Sequence, residues 1–165
     1  MIGALGLMPF LPDYPVVEYE ARLQNDGSEN SGSIRDVRAV DARILSADSA
    51  VLHSMTGATF RGVNQYVLSA DLLGENGSCG RHFLAPNGKP TDNYLPYFNL
   101  ENPAGGGVLA VLSWQGSWRA DFTARTGGVF MRGGQYDCDF VLLPGESFRV
   151  PMMIFLFYRG DWCDG

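Results

Sequence analysis

The residues able to do chemistry in this chain are few and scattered. Its two histidines, His53 and His82, are too isolated for a metal cluster, and no carboxylate stands at a metal-ligand spacing beside either. Cys79, Cys138 and Cys163 are an odd set with no Cys-x-x-Cys pair, which is neither a disulfide framework nor a zinc site. Cys138 reads as a small buried hydrophobe rather than a nucleophile. There is no Gly-x-Ser-x-Gly elbow and no phosphate-binding P-loop. Gly105, Gly107 and Ala110 imitate a dinucleotide fingerprint, but they precede an apolar run where the fingerprint must follow a strand and open a helix. No cofactor is predicted.

Carboxylates are plentiful, 18 in all, so any two could be paired as acid and base. Nothing singles out a pair. Asp121 alternates with apolar residues as a solvated strand position does. Asp137 and Asp139 flank Cys138 in the same manner, and Glu146 follows a Pro144-Gly145 turn. Solvent-facing charge that keeps an aromatic-rich domain soluble accounts for all four. The residues predict no complete active site.

The aromatics carry a sharper expectation. Trp114 and Trp118 bracket the short segment Gln115-Gly116-Ser117, while Tyr94, Tyr97 and Phe98 stand between Asn93 and Asn99. A sugar stacks its C–H faces on aromatic rings and hydrogen-bonds its hydroxyls to amides and alcohols. Trp118, Gln115 and Tyr97 are therefore the candidate sugar contacts. Core packing is the commoner use of any single ring among them.

The elements that would hold these residues are strands. Val17, Tyr19, Ala21 and Leu23 alternate with Glu18, Glu20 and Arg22, the pattern of a half-buried strand. Ile34 to Leu45 reads as one strand, with Val40, Ala42 and Ile44 opposite Asp41 and Arg43 and a bulge or bend near Val37. Val51–Met55, Phe60–Leu73 and Tyr94–Leu100 follow, and Val108 to Trp114 is apolar enough for a central strand covered on both faces. Trp118, Ala120, Phe122 and Ala124 alternate with Arg119, Asp121, Thr123 and Arg125. Val129–Arg132, Tyr136–Leu143 and Phe148–Tyr158 complete the set, with Gly133-Gly134 and Pro144-Gly145 as separators. About ten short strands with frequent turn signals predict one all-β domain, a two-sheet antiparallel β-sandwich with little or no helix.

Composition bounds the partners. The 165 residues are 45% hydrophobic and carry a net charge of −6, with Lys89 the one lysine. With no basic patch, a phosphate backbone or an anionic membrane surface has nothing to grip, so neither nucleic acid nor membrane is expected. The run Val150–Tyr158 is far shorter than the roughly twenty residues of a spanning helix. Met1 to Leu11 lacks the basic start of a signal peptide, and the cysteine usage fits a reducing cytoplasm.

Several segments, in order, resemble one family. Tyr94–Glu101 (YLPYFNLE), the turn Gly105–Gly107, Ser113–Trp118, Leu143–Glu146 and Arg159-Gly160-Asp161 are similar to the N-terminal domain of α-galactosidases, the melibiase-like enzymes of glycoside hydrolase family 36 and their relatives. Tyr19–Asn25, Ile34–Asp41 and Val51–His53 resemble that domain's earlier strands, and Ser113 stands where the family usually has Gly. The resemblance implies a supersandwich-like β domain, incomplete at its N-terminal side, that supports a separate catalytic (β/α)8 barrel. That barrel supplies both catalytic aspartates, so no catalytic residue carries over to this chain. It further implies a domain that contributes at most one wall of a sugar site and exposes an apolar face, with a homodimer expected. The other reading is a free-standing carbohydrate-binding or lectin-like module with a complete site.

Overall fold

A computed structural model of the chain describes residues 2–7, 13–58, 66–74 and 77–164. It is all-β, as the alternation predicts. The strands are β1 (Ile2–Leu7), β2 (Val16–Asn25), β3 (Ile34–Arg35), β4 (Arg38–Leu45), β5 (Ser49–Thr56), β6 (Leu68–Gly74) and β7 (Gly80–Ala85). They continue with β8 (Tyr94–Glu101), β9 (Gly107–Ser113), β10 (Trp118–Arg125), β11 (Gly128–Gln135), β12 (Asp139–Phe140), β13 (Ser147–Arg149) and β14 (Met152–Tyr158). A single 3-10 turn, Trp162–Asp164, is the only helical element among the described residues.

Two antiparallel sheets face each other. The large one runs β1-β2-β14-β9-β8-β5-β6, with β13 added to β2; the small one runs β4-β11-β10-β7. A two-residue pairing of β12 with β3 closes one end. Each sheet turns alternate residues inward, so Phe98, Leu100, Ala110, Leu112 and Met153 of the large sheet meet Phe83, Trp118, Ala120, Phe122 and Met131 of the small one. All ten are at most 1% exposed. Phe98 is the hub. Its ring lies 4.9 Å from Phe83, 5.0 Å from Phe122 and 5.8 Å from Trp118, and all three belong to the opposite sheet. The tilted and edge-on angles (51° to 79°) are those that aromatic quadrupoles favour.

Several boundaries differ from the sequence reading. Ile34–Leu45 is two strands, divided at Asp36, which takes a left-handed backbone (φ 54°). Ala42 is exposed although it pairs with the buried Met131, because β4 is an edge strand of the small sheet. Gly133-Gly134 does not separate strands, for β11 runs through both. A side chain at Gly134 would strike the Val37 carbonyl, so glycine there serves close approach rather than a turn. Of Tyr136–Leu143 only Asp139–Phe140 is strand, Val150-Pro151 interrupts Phe148–Tyr158, and Gly80–Ala85 is a strand that the sequence reading leaves unassigned. The first part of Phe60–Leu73 lies outside the described residues, and β6 forms its second part.

Trp118→Ala should cost about 3–5 kcal/mol, since it empties a fully enclosed ring site at the sheet interface. Urea unfolding of the two proteins measures it. A loss below about 1 kcal/mol would mean that this ring is not the core anchor described.

Candidate functional site

The ladders fix what the large sheet shows on the side away from the core. His53 pairs with Ala70 and Asn99, Asn99 with Leu109, and Leu109 with Leu156. One rung over, Met55 pairs with Leu68, and Tyr97 with Val111 and Val111 with Ile154. The outward face of this sheet is thus mostly apolar across five strands, with His53 and Asn99 as polar members. Leu68, Leu72 and Tyr97 are each more than 40% exposed on it. The small sheet differs. Its outward face carries Arg132 on Asp41 (3.0 Å), Arg38 on Asp36 and Asp41, Arg119 on Asp36, and His82 on Asp121, with Arg125 3.8 Å over the Phe130 ring. One outer face is wet and one is dry.

Tyr97 stands as a ridge between two hollows on the dry face. The first, about 350 Å³, is lined by Pro90, Thr91, Tyr97, Trp114, Gln115 and Ile154 among others. Its rim is tied down by hydrogen bonds between two loops. Ser117 Oγ donates to the Pro86 carbonyl (2.8 Å) and accepts from Gly88 N (2.9 Å), and Trp118 Nε1 donates to the Pro90 carbonyl (2.6 Å). Of the three sequence candidates, the structure brings Tyr97 and Gln115 together here. Trp118 is a correction. It is 0% exposed, its ring packs on Phe98, and its indole N–H is spent on Pro90, so it offers no face to a ligand. Trp114, the other ring of the pair, is half-buried and lines the hollow in its place.

The second hollow, about 480 Å³, was not anticipated as a site. Met55, Leu68, Leu95, Tyr97 and Leu109 form its apolar walls, and His53, Asn99 and Trp162 its floor and end. His53 is buried because the Trp162 ring stacks on it, centroids 4.4 Å apart and planes 14° from parallel. Its Nε2 lies 2.8 Å from Glu101 Oε2. Asn99 holds the Trp162 turn by donating from Nδ2 to the Trp162 carbonyl (2.9 Å), and its Oδ1 accepts from the Tyr158 hydroxyl (2.6 Å). Tyr158 reaches Asn99 by lying across Gly107, where any Cβ would strike the phenol.

Both histidines therefore pair with carboxylates on neighbouring strands, His82 with its directly opposite partner Asp121 and His53 with Glu101, two residues beyond its opposite partner Asn99. Only the strand register could have revealed either pair. Among the described residues no three His, Cys, Asp or Glu side chains converge as a metal site. Nor is any described helix long and apolar enough to cross a membrane.

No protein-family model and no curated protein matches this sequence. Solved structures do match its fold. The family 36 α-galactosidase AgaA from Geobacillus stearothermophilus superimposes with a TM-score of 0.76 at 17% identity, over 96% of this chain and 22% of that one. The galactosidase domain of the α-galactosidase–sucrose kinase AgaSK gives 0.80 at 16% identity, with the same coverages. The α-galactosidase from Lactobacillus brevis gives 0.74 at 14%, over 96% of this chain and 21% of its own. The fold is that of a part of these α-galactosidases, and the chain spans about a fifth of their length.

Asp139, which joins β12 to β3, has its carboxyl held below the ordinary 3.8, first by the Ser33 hydroxyl and then by the Arg35 guanidinium. A carboxyl lowered on folding stabilises fully above its ordinary value, and that contribution disappears as the pH falls through the lowered one. Asp139→Asn should thus lower the urea midpoint near neutrality and leave it unchanged in strong acid. An equal loss at both pH values would assign the effect to packing instead.

Proposed function

We propose that this chain is a non-catalytic accessory β-sandwich of an α-galactosidase-like glycoside hydrolase, supporting a catalytic (β/α)8 barrel outside these 165 residues. The observation that carries this reading is the dry outer face of the large sheet, on a fold that makes up 22% of an α-galactosidase chain. A sheet face left this apolar marks an interaction surface. The wet face of the small sheet, laced with arginine–carboxylate pairs, suits solvent, so the domain has one side to bury. Pro15, Leu156 and Phe157 line a further hollow at the end of β14, beside Arg159.

A retaining glycosidase needs two carboxyl groups roughly 5 Å apart across the scissile bond. The carboxylates placed beside potential proton carriers here, Asp121 and Glu101, sit one on each sheet, each committed to its own histidine. The chain alone should accordingly give no turnover of a chromogenic α-galactoside. Turnover abolished by changing one of its own carboxylates would overturn the accessory reading.

The hollow of Tyr97, Trp114 and Gln115 is proposed as one wall of a sugar site. A sugar held on one wall keeps much of its hydration, and the few contacts must offset the entropy of association. Galactose should bind at millimolar affinity or weaker, about −4 kcal/mol at most. Saturable micromolar binding in calorimetry, lost in Trp114→Ala, would favour the free-standing lectin instead. The dry face should also drive self-association, as a dimer. Light scattering that stays monomeric at high protein concentration would count against that face being adhesive.

A further inference from the structure

The second hollow has a chemistry of its own, and it needs only this chain. A carboxylate accepts hydrogen bonds and cannot donate them, so the His53–Glu101 contact puts the imidazole proton on Nε2. In the neutral ring Nδ1 is then an acceptor, and it is buried with no hydrogen-bond partner. His53 itself is 8% exposed. An acceptor enclosed without a donor is an energetic debt that a ligand can settle. Asn99, the polar neighbour on the floor, is partly engaged, giving one amide hydrogen to Trp162 and one lone pair to Tyr158. Among the described lining residues His53 Nδ1 is the one buried side-chain polar atom left without a partner, in a mostly apolar hollow of about 480 Å³.

That inventory selects the ligand. A sugar wants polar partners on all sides, and these walls are mostly apolar. A purely apolar ring would leave Nδ1 unmet. We infer that the hollow binds a flat apolar ring carrying one hydrogen-bond donor, a phenol, with the ring among Leu68, Leu95, Tyr97 and Leu109 and its hydroxyl on His53 Nδ1. Trp162 is the movable wall. Its turn stays fastened to the sheet by the Asn99 hydrogen bond, while its ring, which covers the imidazole, rotates aside to admit the hydroxyl.

The probe is p-cresol, followed by NMR through the indole N–H signals of the three tryptophans, with Trp162→Phe assigning the relevant one. Saturable movement of the Trp162 signal is expected, with the Trp118 signal unmoved. Toluene and 4-methylanisole, which lack the donor, should bind about tenfold more weakly, the factor that one hydrogen bond supplies. His53→Leu should erase that preference while leaving apolar binding in place. No saturable shift, or equal affinity for p-cresol and 4-methylanisole in the unmodified protein, overturns the inference, and the second comparison needs no variant to fold. N-acetyltyrosine amide separates two sources of the same chemistry. Binding like p-cresol supports a tyrosine side chain as occupant, and exclusion with p-cresol still bound supports a free phenol.

Discussion

The sandwich depends on one meeting of rings. Phe98 projects from the middle of the large sheet into Phe83, Trp118 and Phe122 of the small one, and among the described residues no other touches so many rings across the interface. Sheet packing is non-directional until something fixes its offset, and aromatic rings in preferred geometries do so. With Phe98 in place, Trp118 must be buried. Its N–H must find an acceptor, and the Pro90 carbonyl is drawn in to meet it. The loop holding Pro90 then forms one bank of the first hollow. A core contact therefore shapes the surface feature above it.

Alternation does the rest. Because neighbours along a strand point to opposite sides, fixing Phe98 inward forces Tyr97 and Asn99 outward, and the ladders carry that choice across five strands. What distinguishes this molecule is that the outward side of the large sheet is nearly as apolar as the inward one. A solvated antiparallel sheet has a polar outer face, as the small sheet does here. The near-continuous apolar run of Val108–Trp114 predicted cover on both sides. Among the described residues one side is covered by the opposite sheet and the other, at Leu109 and Val111, is only half-buried.

The strands that were legible in the sequence were those whose two faces differ. Trp118 to Arg125 is the clearest, and its alternation also held the correction to the site: it places Trp118 on the side of Phe122, which is the core side. The chemistry of an indole suggested a sugar, while the periodicity already assigned it to packing. Glycine misled where its reason was proximity rather than turning, as at Gly134 beneath the Val37 carbonyl. Gly80–Ala85 is short and carries Arg81 and His82 beside Phe83, so its composition hides its role as an edge strand. The His53–Glu101 pair was out of reach for a different reason. Its members are 48 positions apart, and only the pairing of β5 with β8 makes them neighbours.

The crossing of Tyr158 over Gly107 has an evolutionary consequence. The Leu100 carbonyl and the Tyr158 phenol together fill the space that a side chain at 107 would need, and the phenol lies there to reach Asn99, which in turn fastens the Trp162 turn. Changes at 107 and 158 are therefore not independent, and their combined effect is far from the sum of the separate ones. Position 107 is closed to drift from two sides, and only one of them is a side chain that mutation can remove. Shrinking Tyr158 alone would not let position 107 grow, because the Leu100 carbonyl belongs to the backbone of the neighbouring strand and stays in place.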